Sequence, residues 1–386
     1  KEAHVIKKLV FGETYTLREE FAPYGYLKAT DIQFTVEDTG DVQHVEMNDE
    51  VPTGSIVINK DGEFVTDTTL MKGHWYDFIF NYFKDSLAGV TFDVYAKEDI
   101  VSADGLDTVY HKAGDKVATI VTNDKGIARI DDLPLGRYYL VETKTIDGFV
   151  LDDTPIEADL SYIDQNTKVV FAGMDVTNER QKVQITVTKT DSETKEALEG
   201  AVFGLFAKED IVNKDGKVIV KADTQIERTV TGKDGKAVAK NIPLGQYRVV
   251  EVEAPYGYVL NPNEQKVTFT YVDDKTPVIK ESLTFSNDRQ KLDMSVTKLD
   301  SEDNTPIAGA VFGLYADEDI KNVDGKVIIE KGTLLEKATS DENGKIAFVK
   351  DYPFAKYVAR ELVKPAGYVT NEEAVNFDTK YQGQDV

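Results

Sequence analysis

The sequence predicts an all-β chain of tandem β-sandwich modules in a linear array, and three observations predict it. Blocks of sequence return at a period of about 110 residues, the size of one sandwich domain. Within each block apolar and polar residues alternate with the period of two that marks half-buried strands. Asp-Gly and Asn-Gly turn signals separate these runs, and many short strands with regular turns make a sandwich.

Taken along the chain, residues 1–50 read as the C-terminal part of a module, ending the block "GETYTLREEFAPYGYL" (12–27) with "VEMNDE". Residues 51–180 read as a complete module with an insertion at about 61–88. It contains "GVTFDVYAKEDI", ending at Ile100, and "LPLGRYYLVETKTIDGFVL" (133–151). Residues 181–290 form a second complete module, with "VQITVTK" (183–189), "AVFGLFAKEDI" ending at Ile211, and "IPLGQYRVVEVEAPYGYVL" (242–260). Residues 291–386 repeat it through "LDMSVTK", "AVFGLYADEDI" ending at Ile320 and "YPFAKYVARELVKPAGYV" (352–369), but lack a closing strand. The chain starts and stops in mid-pattern, so it reads as a window on a longer protein. Turns are expected at Asp124–Gly126, Asp215-Gly216, Asp234-Gly235, Asp324-Gly325 and Asn343-Gly344. None has the acidic spacing of a calcium loop.

Composition narrows the function classes. Hydrophobic residues make 41% of the 386, enough for real cores. The formal net charge of -24 argues against nucleic acid and against an anionic membrane surface. No run is long and apolar enough to span a bilayer. Cysteine is absent, which excludes disulfides, thiolate metal sites and cysteine nucleophiles. The four His (His4, His44, His74, His111) are scattered, and no nucleophile elbow, P-loop or dinucleotide fingerprint appears. No cofactor or metal is implied.

Three polar residues recur where a sandwich core should be apolar. A Lys ends the opening strand, as Lys189 and Lys298. A Glu interrupts a Tyr/Val/Leu strand, as Glu19, Glu142, Glu251 and Glu361. An Asn ends the closing strand, as Asn48, Asn178 and Asn287. First and last strands of a sandwich can lie side by side, so Lys189 could meet Asn287. Burial drives a Lys toward its neutral, nucleophilic amine and a Glu toward its protonated acid. Such an acid can donate to the carboxamide oxygen and so polarise its carbon while the amine attacks, shuttling protons as ammonia leaves. The fold supplies proximity in place of a slow bimolecular amidation. The product is an amide that closes a loop of nearly a whole domain. The other reading of the same residues is a buried Lys–Glu ion pair with a hydrogen-bonded Asn.

These residues resemble the Cna B-type modules of Gram-positive adhesins and pilins, also called SpaA-like or prealbumin-like, with an Ig-like sandwich. The likeness rests on "VTKTDSETKEALEGAVFGLFAKED", on the pattern Y-x-x-x-E-x-x-x-P-x-G-Y and on the terminal "TFSNDR", and covers nearly the whole chain. It implies spontaneous Lys–Asn isopeptide bonds with a Glu proton shuttle, an extracellular, cell-wall-attached location, and a stalk or pilus-like role. The second module would join Lys189 to Asn287 through Glu251. The first would use Glu142 and Asn178, with Lys60 of "GSIVINKDG" as the amine and Lys84 as its rival. Lys298 with Glu361, and Asn48 with Glu19, lack a partner and should form no bond. The insertion, which carries Trp75, reads as an extra hairpin packed on the sandwich rather than a ligand-binding face.

The expected function is a structural stalk and not a turnover enzyme. The alternatives are modules that bind host protein or glycan through exposed faces, and a polymerised pilin backbone. Implied partners are neighbouring modules of the same chain, and host matrix or glycan through a tip domain outside this window.

Overall fold

A computed structural model describes residues 4–386 apart from 74–75, 104–105, 107 and 323–324. His74, Trp75 and the expected turn residue Asp324 therefore lie outside the described residues. The elements are strands throughout, as the period-two patterning predicts, and they assemble into three sandwiches preceded by a two-stranded hairpin, Thr14–Leu17 with Ile32–Thr35.

The second sandwich shows the plan most simply. One sheet orders Lys236–Ile242, Lys182–Asp191 and Val278–Asn287; the other orders Gln225–Val230, Val202–Ala207, Gly245–Glu253 and Gln265–Phe269. The opening strand alternates without a break, with Val183, Ile185, Val187 and Lys189 turned inward. Its pairing with the closing strand is parallel, running from Lys182 opposite Val278 to Asp191 opposite Asn287. This parallel pair carries the end of the domain back beside its beginning. The core between the sheets is built from Phe203, Leu205, Ile226, Val249 and Phe285.

The first sandwich follows the same plan, with Val169–Asn178 parallel to the start of Thr53–Lys72. The third has a four-stranded sheet around Val311–Ala316 and Lys356–Val363. Its opening strand Met294–Thr297 pairs with Lys345–Phe348, and among the described residues no second strand pairs with it. In each sandwich one tyrosine is fully buried: Tyr138, Tyr247 and Tyr357. Each hydroxyl donates to the carbonyl of the proline four residues earlier, which keeps the buried polar end paired.

The insertion forms the expected hairpin, but it packs on two sandwiches rather than one. The opening strand of the first sandwich runs on to Lys72 and folds back through Tyr76–Ser86 as a long hairpin. Its base stays on its own sandwich, where Phe64 meets Phe149 edge-on at 5.1 Å. Its outer part packs on the second sandwich instead. Phe80 joins that core, with Val65, Phe78 and Tyr82 beside it. Asp77 accepts from the Arg228 amide at 2.9 Å, and Lys214 pairs with Asp85 at 2.5 Å. Packing Phe80, Val65, Phe78 and Tyr82 against the second sandwich removes their apolar surface from water.

Candidate functional site

The alternation of the opening strands puts each Lys on the inward face, and the parallel closing strand brings each Asn to it. In the first sandwich Lys60 is 1% exposed, Glu142 1% and Asn178 0%. Lys60 Nζ donates to Asn178 Oδ1 at 2.6 Å and lies 2.7 Å from Glu142 Oε2. Asn178 Nδ2 donates to Glu142 Oε1 at 2.5 Å. In the second sandwich Lys189 donates to Asn287 Oδ1, lies 3.1 Å from Glu251 Oε1, and Asn287 Nδ2 donates to that same oxygen at 2.9 Å. The three residues singled out by spacing are thus in mutual contact in both sandwiches.

Aromatic rings close the site from water. Lys60 Nζ is 5.6 Å from the centroid of Phe92, and Lys189 Nζ is 5.8 Å and 6.0 Å from Phe203 and Phe285. Burial holds both ammonium groups below the ordinary lysine range, against the opposing pull of Glu142 on Lys60 and of Glu251 on Lys189. Burial raises Glu142 above the usual carboxyl range, against Lys60 and the Asn178 hydrogen bond. Both directions favour the uncharged amine beside the protonated acid.

The Glu sits differently from expectation. It faces the carboxamide nitrogen, not its oxygen. Sequence reasoning also missed Thr145, which is 5% exposed and whose Oγ1 accepts from Asn178 Nδ2 at 2.9 Å. The second and third modules carry Ala254 and Lys364 at that position, so recurrence gave no signal. Nor did the turn signals show that Gly126, Gly235 and Gly344 each press against the backbone carbonyl of Lys60, Lys189 and Lys298. Their φ values of 72°, 69° and 73°, together with that contact, require glycine.

The remaining site residues are placed apart. Lys84 is exposed and donates to Thr177 Oγ1 at 3.2 Å. Lys298 Nζ lies 3.3 Å from Glu361, and among the described residues no Asn side chain hydrogen-bonds to it. Asn371 meets Glu361 only through its backbone amide, at 2.6 Å. Glu19 accepts from the Ala29 amide at 2.8 Å, while Asn48 is exposed and makes no hydrogen bond to it.

A family model described as SpaA, a prealbumin-like fold domain, matches residues 3–51, 82–174, 183–282 and 293–386. A stretch of 110 residues is 33% identical to the trypsin-resistant surface T6 protein of Streptococcus pyogenes serotype M6, covering 28% of this chain and 18% of that protein. The Bacillus anthracis TIE protein shares the fold, with a TM-score of 0.56 and 24% identity over 96% of this chain and 57% of its own. The major pilin subunit BcpA of Bacillus cereus aligns over 84% of this chain and 94% of its own, at 17% identity and a TM-score of 0.30. The chain thus spans less than two thirds of the first two relatives.

Proposed function

The chain belongs to the SpaA prealbumin-like family, and from that premise we propose that it is a stalk segment of a Gram-positive cell-surface protein whose first two sandwiches each seal themselves with a Lys–Asn amide. One observation carries the proposal. Twice, a fully buried Lys, Glu and Asn are in contact across the parallel pair of first and last strands.

The geometry suggests the course of the reaction. Glu142 takes a proton from Lys60, leaving a neutral amine and a protonated acid. The amine attacks Asn178 Cγ, already within reach because Lys60 Nζ lies 2.6 Å from the oxygen on that carbon. Glu142 then returns the proton to Nδ2, which it already contacts, and ammonia leaves. One C–N bond forms and one breaks; of the two protons the ammonium sheds, one departs with the leaving nitrogen and the second, released as the linking nitrogen becomes an amide, stays on Glu142. The same roles fall to Lys189, Glu251 and Asn287.

Surface location is supported by the likeness to the streptococcal surface protein. Intact mass spectrometry tests the chemistry. The chain should be lighter than its sequence by two ammonia molecules. Lys189→Ala and Glu251→Gln should each remove one of those losses. A chain at its full sequence mass would leave the buried ion pair as the correct reading.

A further inference from the structure

Arg180 follows the closing strand of the first sandwich and is only 9% exposed. Its Nη1 donates to the Gln181 carbonyl at 3.3 Å, and its Nε has no acceptor. Among the described residues no carboxylate forms an ion pair with it. Its closest aromatic support is Tyr82 from the inserted hairpin, whose ring centroid is 3.7 Å from the guanidinium carbon. A buried cation without a contacting anion is costly, and a cation–π contact offsets only part of that cost.

The next junction shows what is missing. Arg289 occupies the same position, two residues after the closing Asn. Both arginines bridge to the preceding Gly-aromatic loop, Arg180 to Phe149 and Arg289 to Tyr258. Arg289 is paired with Asp351 of "KDYP". The matching residue in "KNIP" is Asn241, a carboxamide, whose backbone carbonyl accepts from Tyr82 at 3.3 Å. Beside Arg180 there is instead a cavity of about 420 Å³, walled by Phe78, Phe80 and Ile242 and bordered by a second cation, Lys240.

We propose that this cavity binds a small organic carboxylate, with its anionic end paired to Arg180 and its apolar body against Phe78, Phe80 and Ile242. The bound carboxylate takes the place that Asp351 fills for Arg289. Two acids also border the cavity. Asp77 accepts from the Arg228 amide. Glu227 is pushed up to about 7 by burial and by Asp77, so near pH 6 it is mostly uncharged and repels an anion little. Tyr82, pushed up to about 12, stays neutral.

Sodium hexanoate is a suitable probe. It would be titrated at pH 6 into the full chain labelled with nitrogen-15, observing the Arg180 Nε–H signal, with sodium chloride and sodium acetate in parallel. Hexanoate should give a saturable shift at lower concentration than acetate, and chloride should give none. Asn241→Asp gives Arg180 its own carboxylate, and Asp132 holds the matching position in the first sandwich at a similar positive φ. That variant should fold and bind hexanoate at least about tenfold more weakly. A signal unmoved by hexanoate, a shift no different from that with chloride, or equal binding by Asn241→Asp would overturn the proposal.

Discussion

The second and third sandwiches place a Lys and a Glu at matching positions of the repeat, yet they treat the Lys differently: Lys189 lies within its strand and Lys298 just past the end of its own. Lys189 and Glu251 have fully buried side chains, whereas Lys298 keeps 13% of its side chain exposed above a buried Glu361. The opening strand spans ten residues in the second and four in the third. What separates them is Val278–Asn287, the parallel partner that Met294–Thr297 lacks. The closing strand therefore does two jobs: it delivers the carboxamide and it shuts water out from the amine. The Glu is set by the opposite sheet and is buried in both.

A second contrast concerns Glu227 and Glu336, which sit at matching places in "QIERTV" and "LLEKAT". Burial and Asp77 of the hairpin push Glu227 up. Burial would also raise Glu336, but the Tyr352 hydroxyl and the Val349 and Lys350 amides donate to it and hold it below the usual range. The hairpin thus changes the chemistry of the sandwich it covers.

The comparison can be broken most severely at Lys189. Lys189→Ala should make the second sandwich resemble the third. If the proposed amide closes the span from Lys189 to Asn287, a sequence separation of 98, losing it should show in calorimetry as about 4–5 kcal/mol, by analogy with a disulfide. If the stability of that sandwich is unchanged, the amide contributes nothing. The next effect lies at Glu227. Its carboxyl moves from an ordinary 4.5 to about 7 on folding, so the fold holds its proton more tightly than the unfolded chain does. The stability this gives is present below about pH 4.5 and is lost as pH rises through about 7, some 3 kcal/mol in total. Urea midpoints between pH 5 and 8 should show that decline in the second sandwich, and Glu227→Gln should flatten it. Glu336→Gln should act in the opposite sense, lowering stability at neutral pH more than at pH 4.

Gly235→Ala tests how the amine is aimed. A Cβ there meets the Lys189 carbonyl at a φ of 69°, so the cost should be about 1–3 kcal/mol, with slower ammonia loss in a mass time course. Gly344→Ala should cost a similar amount in the third sandwich and leave the mass course untouched. The smallest effect belongs to Asp351→Asn. Its pair with Arg289 is over one third exposed on both sides, so denaturation should report under about 1 kcal/mol.

Much of this was legible in the sequence because the repeats gave independent copies of one pattern. The alternation in "VQITVTK" fixed which face Lys189 takes, and the recurring Glu and Asn marked their own strands. Lys60 could be preferred to Lys84 because "GSIVINKDG" resembles an opening strand. What recurrence could not show was anything present once. Thr145 occurs in one module only. The hairpin's period of two marks it as strand, but not that Phe80 is buried in the neighbouring core, because alternation records a buried face without naming what covers it. The first unit keeps a Glu and an Asn, but Glu19 and Asn48 stand 29 residues apart where the complete modules have 36, and as expected they form no pair.

The parallel run of first and last strands has a consequence for a chain under tension. Load enters the second sandwich at Lys182 and leaves past Asn287, at opposite ends of the paired strands. With the proposed amide in place, the load passes along residues 182–189, crosses the side-chain link and exits. The 97 residues between are never pulled, and roughly 330 Å of contour length, at about 3.4 Å per residue, stays in reserve. A tether built this way holds its length until covalent bonds fail.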